Sequence, residues 1–402
     1  MHALLAEAES ISSLVIALRR RIHRRPERGL HLPLTQKLIT ESLDELDIEY
    51  QLGDSLSSVV GVILGSEPGP DVILRAEMDA LPLHEHSGVS FMSEIDGTMH
   101  ACGHDTHVAM LLGAARLLAG RRDQFRGRVI LMFQPGEEGF AGANLMLEEG
   151  LLADVDRINC RAFAIHITTA FPAGTIHLRP GPILAAPDEF EITVQGRGGH
   201  ASEPHRTLDP IPIAAEIIMA LQTMVTRRVS VFDPAVLSVT RMAAGTTHNV
   251  VPDDVVLGGT IRTLSESTRT TMHELTERVV GGILAAHGGT GGVQIRRGYP
   301  PTVNDPALTD VVHDTAVELL GDEAVNIMAS PRMGGEDFSY VLQQVPGVMA
   351  FLGGRPNSED PLTAPMNHSS KVVFDEAILS RGVALHVAFV LRVASLQQAQ
   401  SE

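Results

Sequence analysis

Tryptophan is absent from this chain, aromatic residues make up only 4%, and cysteine occurs twice in 402 residues. Two cysteines, Cys102 and Cys160, build no disulfide framework, so a reducing, cytoplasmic setting is the expectation. Scarce aromatics disfavour a pocket built on ring stacking. Basic residues are outnumbered, 31 against 49 acidic, for a net charge of -18. That balance opposes binding to nucleic acid or an anionic membrane, so neither is expected as a partner. No apolar run reads as long enough to cross a bilayer. The N-terminus does not read as a signal peptide: Glu7 and Glu9 interrupt its apolar stretch, and Arg19, Arg20 and Arg21 follow the apolar residues. Internal repeats and low-complexity tracts are also lacking. No GxSxG, Walker A or HExxH motif occurs, which removes support for a serine elbow, a P-loop or a zincin.

A length of 402 residues implies two or three domains. Ile11, Leu14, Val15, Leu18 and Ile22 fall at helical spacing and predict one amphipathic helix ending near Pro26. Apolar strands at Val59–Leu64, Asp71–Arg75, Arg128–Phe133 and Arg161–Ile165 alternate with helices near 34–46 and 106–119. The second helix is expected to be capped by Asp105 or Thr106 and to stop at Gly120. Such alternation is the pattern of an α/β sheet with helices on both faces. The middle of the chain reads as β-α-β-β-α-β: a strand around Phe190–Val194, a helix over 211–227, strands at 235–242 and 254–262, a helix over 266–286 and a strand at 293–298. The α/β pattern then resumes with a helix near 306–319, a strand at Val348–Leu352 and a helix near 375–396. The expected layout is therefore a domain of residues 1–183 and 298–402 interrupted by a ferredoxin-like domain of residues 184–297. Both crossings are Pro/Gly-rich.

Four polar clusters follow strands or open helices. Asp79 follows Val72–Leu74, Glu137 and Glu138 follow Val129–Phe133, His166 ends Ala162–Ile165, and His100-Ala-Cys-Gly-His-Asp-Thr-His107 opens a helix. In open α/β sheets the carboxyl ends of strands and the N-termini of helices share one rim, where sites form. Thiolate, imidazole and carboxylate together suit zinc or another first-row divalent ion. One of two adjacent glutamates can hold metal while its neighbour takes a proton from the metal-bound water. Taken singly, each residue has an ordinary explanation, as a small core residue, a solvated charge or a hydrogen-bonded histidine; Cys160, with no chemistry around it, keeps that explanation. Gly196-Arg-Gly-Gly-His-Ala201 fits a dinucleotide fingerprint, but Pro204 and His205 follow too soon. His84-Glu-His86 would need a regular barrel that the middle of the chain interrupts.

These segments resemble the M20 family of metallopeptidases and amidohydrolases, most closely its amidohydrolase branch of hippurate, auxin-conjugate and N-acyl-amino-acid hydrolases. The likeness is carried, in order, by Arg75-Ala-Glu-Met-Asp-Ala-Leu-Pro82, Met99-His-Ala-Cys-Gly-His-Asp105, Phe133-Gln-Pro-Gly-Glu-Glu-Gly139, Ala164-Ile-His166, Gly196–Ala201, Asn249-Val-Val-Pro-Asp253, Gly259-Thr-Ile-Arg262, Gly335-Glu-Asp-Phe338 and Asn367-His-Ser369. The resemblance implies a zinc-exopeptidase-like catalytic domain and an inserted dimerisation domain. It implies two divalent metal ions per subunit, zinc or manganese, with cobalt or nickel as alternatives. Cys102 would bridge them, and His104, Glu138, His166 and His368 would complete the ligand set. Glu137 would act as general base on a metal-bound hydroxide that attacks the amide of an N-acyl amino acid. Asp79 would orient a ligand; separately, helical spacing puts His107 one turn on from His104, where it could also face the site as an outer support. His200 would stabilise the oxyanion in the partner subunit of a homodimer. Asn249, Arg262, Glu336 and Asp337 would hold substrate. A dipeptidase or carboxypeptidase, and a non-catalytic metal or ligand binder, remain as alternatives. The chain departs from the family's usual pattern at Glu77, where Asp is usual, at Gly136, where Ala is common, and at Ile167-Thr-Thr169.

Overall fold

The computed structural model describes residues 1–401. The chain divides into two compact units, one of Met1–Ile183, Val303–Ser330 and the chain from Asp337 onward, the other of Leu184–Thr302 with Pro331–Glu336.

The first unit is built on an eight-stranded mixed sheet. Its early strands are β1 (Glu49–Leu52), β2 (Val59–Leu64), β3 (Asp71–Glu77), β4 (Arg128–Gln134) and β5 (Arg161–Pro172). Strands β3, β4 and β5 run parallel, and Gly347–Arg355 pairs parallel to β5 on its far side. Every residue of β3 is buried, as expected for a central strand covered on both faces. Helices α1 (His2–Ser10), α2 (Ser12–Arg24), α3 (Pro33–Asp44) and α4 (His104–Ala119) precede or join these strands. The amphipathic helix expected from Ile11 to near Pro26 is α2, and a further helix, α1, precedes it. Helix α4 is buried almost all round, against α2, β3 and the helix Leu379–Ser401.

Two expectations need correction. Helix α4 is capped by neither Asp105 nor Thr106; it starts from Gly103 at φ 95°, with no side-chain cap. A Cβ at Gly103 would lie 2.4 Å from Ile167 Cγ2, so left-handed geometry and close packing both require glycine here. One helical segment, Glu376–Leu396, is long and apolar enough to cross a bilayer by length and composition. Val383, Ala384, Leu385, Val387, Ala388 and Phe389 on it are nevertheless fully buried in the unit's own core.

The second unit holds a four-stranded antiparallel sheet, in the order Ala235–Ala244, Asp254–Thr263, Ala186–Gln195, Thr290–Arg296. This is the ferredoxin-like order for a β-α-β-β-α-β chain. Burial alternates along Ala186–Gln195, so one face meets the helices Pro210–Arg228 and Glu266–His287. Asp209 and Ser265 cap those helices through Ile211 N and Thr268 N. Pro331–Glu336 joins this unit through an Ala185 N–H bond to Gly334 O at 3.0 Å and a Leu184–Arg332 bridge.

Candidate metal centre

The carboxyl ends of β3, β4 and β5 and the start of α4 bring the expected cluster together. Pairing of β5 with β3 stops at Ala164, whereas pairing with Gly347–Arg355 continues through His166 and beyond. His166 therefore sits inside a longer strand than expected, at the point where the sheet parts on one side. Its Nε2 lies 3.4 Å from Cys102 Sγ. His368 Nε2 lies 3.3 Å from the same sulfur and 3.3 Å from Glu138 Oε1. Groupings whose donor atoms all lie within 4.8 Å of one another include Cys102, His104 and His166; Cys102, Glu138 and His368; and His104, Glu137 and Glu138.

Asp79 organises this corner. Its carboxylate, 1% exposed, accepts the backbone amides of Glu137 at 3.0 Å and Glu138 at 2.9 Å. Its own carbonyl accepts His104 Nδ1 at 2.8 Å, which leaves Nε2 as the free nitrogen. The turn carrying the two glutamates opens at Gly136, φ 72°, where a Cβ would fall 2.5 Å from Leu30 Cδ2; alanine is excluded there without movement.

The donor set fits divalent cations. His104 Nε2 is a buried polar atom without a hydrogen bond, an arrangement costly to fold unless something fills it. Burial opposes charge on His104, but Cys102 and Asp79 outweigh it and raise its pKa well above the ordinary value. Hydrogen bonds to Cys102 and Glu138 push His368 up to about 10. Burial, offset by His368 and His104, still leaves Glu138 below the usual carboxylate range. Burial and the adjacent His107 push His166 well down, toward the neutral form a metal requires. A cluster that draws protons onto two of its imidazoles is one that attracts a cation, and a metal would displace those protons.

Supports beneath the site were only partly foreseen. His107 binds Glu77 through Nδ1 at 2.8 Å and accepts the Ile167 amide at Nε2, also at 2.8 Å. Glu77 also pairs with Arg75. Arg75 reaches Asp337 at 2.9 Å, and Asp337 takes the side-chain amide of Gln134 and the backbone amide of Ala143. Asp337 is therefore a wholly buried tie between β3, β4 and the following helix Gly142–Glu148. Burial disfavours charge on Glu77, yet Arg75 and His107 prevail and hold it well below the usual range. The extra methylene of glutamate over aspartate helps span both partners. A second buried set joins α2 to α4: Asp105 accepts from Arg19 at 2.7 Å and pairs with His23 at 2.8 Å, while Glu85 takes the other His23 nitrogen at 3.1 Å. Arg75, Gln134 and Asn367 received no role from sequence; polar residues inside an all-buried strand were the available signal for the first two.

The remaining expected residues lie in the second unit. His200 is exposed on a short ladder opposite Val250. Ser202 N–H donates to its Nδ1 at 3.2 Å, which puts the proton on Nε2. Asn249 is exposed, with its carbonyl bound by Ala201 N at 3.1 Å. Arg262 reaches Met333 O at 3.4 Å. Glu336 is 1% exposed, and its carbonyl accepts Thr302 Oγ1 at 3.4 Å.

Comparison with known proteins agrees with this geometry. The family model for peptidase family M20/M25/M40 matches residues 73–392. Thermostable carboxypeptidase 2 of Saccharolobus solfataricus is 42% identical over 97% of this chain and 98% of its own. N-acetylcysteine deacetylase of Bacillus subtilis is 39% identical over 86% of this chain and 89% of its own. Among solved structures, the Bacillus subtilis YXEP protein, a dinuclear metal-binding peptidase from the M20 family, superposes with a TM-score of 0.83 at 33% identity, covering 96% of this chain and 99% of that one. The chain belongs to peptidase family M20/M25/M40 and is a metal-dependent hydrolase acting on amides.

Proposed function

We propose that the protein hydrolyses the amide between an acyl group and the nitrogen of an amino acid, using two divalent ions held by Cys102, His104, Glu138, His166 and His368. The observation carrying this reading is the meeting of those donors at one strand rim, with Glu137, 7% exposed, on the same clamped turn as Glu138. Bound metals would supply a water of lowered pKa and a Lewis-acid contact for the carbonyl. Zinc suits the sulfur and imidazole donors; manganese, cobalt or nickel can serve where carboxylate ligands contribute and availability allows.

Glu137 accepts the proton from the attacking water and returns it to the departing amine. Two backbone bonds to Asp79 fix its peptide, so its carboxylate acts from a set position. His200, protonated at Nε2, donates to the developing oxyanion of a partner subunit's site. The unit of Leu184–Thr302 serves as the dimerisation domain in this reading, and Asn249 and Arg262 engage the substrate's carboxylate or carbonyl. Cytoplasmic placement accords with two free cysteines, one of them a ligand.

A carboxypeptidase reading is favoured by the 42% identity to thermostable carboxypeptidase 2. Both readings cut an amide whose amine half is an amino acid, so the same machinery serves either. Glu137→Gln separates chemistry from metal binding. Turnover on the best substrate among N-acetyl, N-benzoyl and longer N-acyl amino acids and dipeptides is expected to fall ~10²–10⁴-fold, with metal content unchanged. Near-normal turnover in this variant removes Glu137 as the base.

A further inference from the structure

We infer that Asn367 is the positioning residue that holds the His166 and His368 ligands against the Cys102 sulfur. The inference rests on the metal-site reading above and assigns the ligand geometry to a side chain that touches no ligand atom.

The side chain of Asn367 makes three bonds to the backbone of ligand-bearing segments. Nδ2 donates to Cys102 O at 3.0 Å and to Ile167 O at 3.0 Å. Oδ1 accepts the Thr169 amide at 3.1 Å. Two carbonyls need the amino group and one N–H needs the oxygen, so the partners themselves fix the amide's orientation. The Ile167 carbonyl has a second duty: it accepts His166 Nδ1 at 2.7 Å. That bond places the His166 proton on Nδ1 and leaves Nε2 as the nitrogen facing Cys102 Sγ. Asn367 thus steadies both the carbonyl that sets the tautomer of one ligand and the carbonyl of another.

The third ligand is the next residue. His368 adopts φ 69°, a left-handed conformation uncommon for a residue with a side chain. Its amide binds Ala101 O at 2.9 Å. Backbone strain of this kind persists only where surrounding bonds over-determine it. Here the restraints are the Asn367 amide on one side of the peptide and the Ala101 carbonyl on the other. Thr169 Oγ1, bonded to Pro365 O at 2.8 Å, ties the same loop from below.

Asn367→Asp keeps the shape and turns the donor into an oxygen facing two carbonyl oxygens. Asn367→Ser removes both donors without adding charge and serves if the aspartate variant misfolds. The full-length protein, stripped of metal, is titrated with Co(II), and the sulfur-to-cobalt charge-transfer absorption is recorded; Cys102→Ala identifies that band by its loss. The expected result is a 10–100-fold weaker Co(II) affinity, about the usual effect of losing an outer partner, with an altered charge-transfer band. The urea midpoint of the metal-free variants is measured alongside. Affinity and spectrum matching wild type overturn the inference, and a lowered midpoint with normal affinity and spectrum assigns Asn367 a merely structural role and overturns it equally. A wild-type protein that binds cobalt without the sulfur band overturns the metal-site reading itself, an outcome distinct from failure of the Asn367 variants.

Discussion

Asp79→Asn probes the clamp beneath the catalytic turn. The aspartate accepts two backbone amides, at 3.0 and 2.9 Å, in a site only 1% exposed. Asparagine has the same outline but one acceptor oxygen. One amide keeps a bond, now neutral; the other faces an amino group and is left unsatisfied. Loss of one bond to a charged group costs about 1.5–3 kcal/mol, and weakening of the other adds roughly half as much again. The variant is therefore expected to lose about 2–4 kcal/mol of local stability. The carbonyl that orients His104 survives, so the damage is directed at Glu137 and Glu138. Shifting those carboxylates by even ~1 Å is worth on the order of 10²-fold in rate. Metal affinity should fall ~10–100-fold. The assay is a competition titration of Zn(II) or Mn(II) against a chromophoric chelator, with turnover measured at saturating metal. Affinity and saturated turnover both within twofold of wild type would refute the clamp.

Two other tests address the second unit and the α2–α4 contact. If His200 serves the partner's site, mixing Glu137→Gln with His200→Ala protein, each inactive alone, restores activity through hybrid dimers; no recovery after proven subunit exchange excludes the arrangement. Burial opposes charge on His23, but Asp105 and Glu85 outweigh it and raise its pKa from 6.5 to about 9. A raised pKa stabilises fully below pH 6.5 and loses that stabilisation as pH climbs through 9. The gap corresponds to about 3 kcal/mol, so the urea midpoints of wild type and His23→Gln should converge between pH 6 and pH 10, and a constant separation would contradict the assignment.

Regular patterns made the fold readable. Short apolar strands alternating with helices identified the α/β sheet, and the β-α-β-β-α-β run stood out in the middle of the chain. The candidate site residues nearest strand ends were readable for the same reason, because Asp79, Glu137 and Glu138 follow strands and His166 follows the apolar run Ala162–Ile165. His368 was not readable from periodicity. It lies on an irregular loop in a left-handed conformation, and only resemblance to a family singled it out. The cap of α4 was misjudged because Asp105 resembles an N-cap but is committed to Arg19 and His23, while Gly103 does the turning. Asp337 was singled out as a substrate residue through a motif, and its buried ties were not readable. Its partners, Arg75 and Gln134, lie more than two hundred residues earlier and cannot be paired with it from local spacing.

Hydrogen bonding separates the histidines of the cluster more sharply than proximity does. Glu77, His104 and His107 also lie close enough together to form a metal grouping. Yet both nitrogens of His107 are taken, one by Glu77 and one by the Ile167 amide, so it has no lone pair to offer without breaking a buried bond. Asp79 is likewise spent on two amides. His104 differs from His107 in one respect: its second nitrogen is buried and unpartnered. His166 has its Nδ1 committed and its Nε2 turned to sulfur. Leaving a buried nitrogen bare costs free energy that a bound cation would offset. The bare nitrogen of His104 belongs to a grouping with Cys102 and His166, and the bonded side chains of His107, Asp79 and Asn367 stand behind it. A bare nitrogen beside a sulfur, with fully bonded side chains behind it, is what a cation site built on these residues requires.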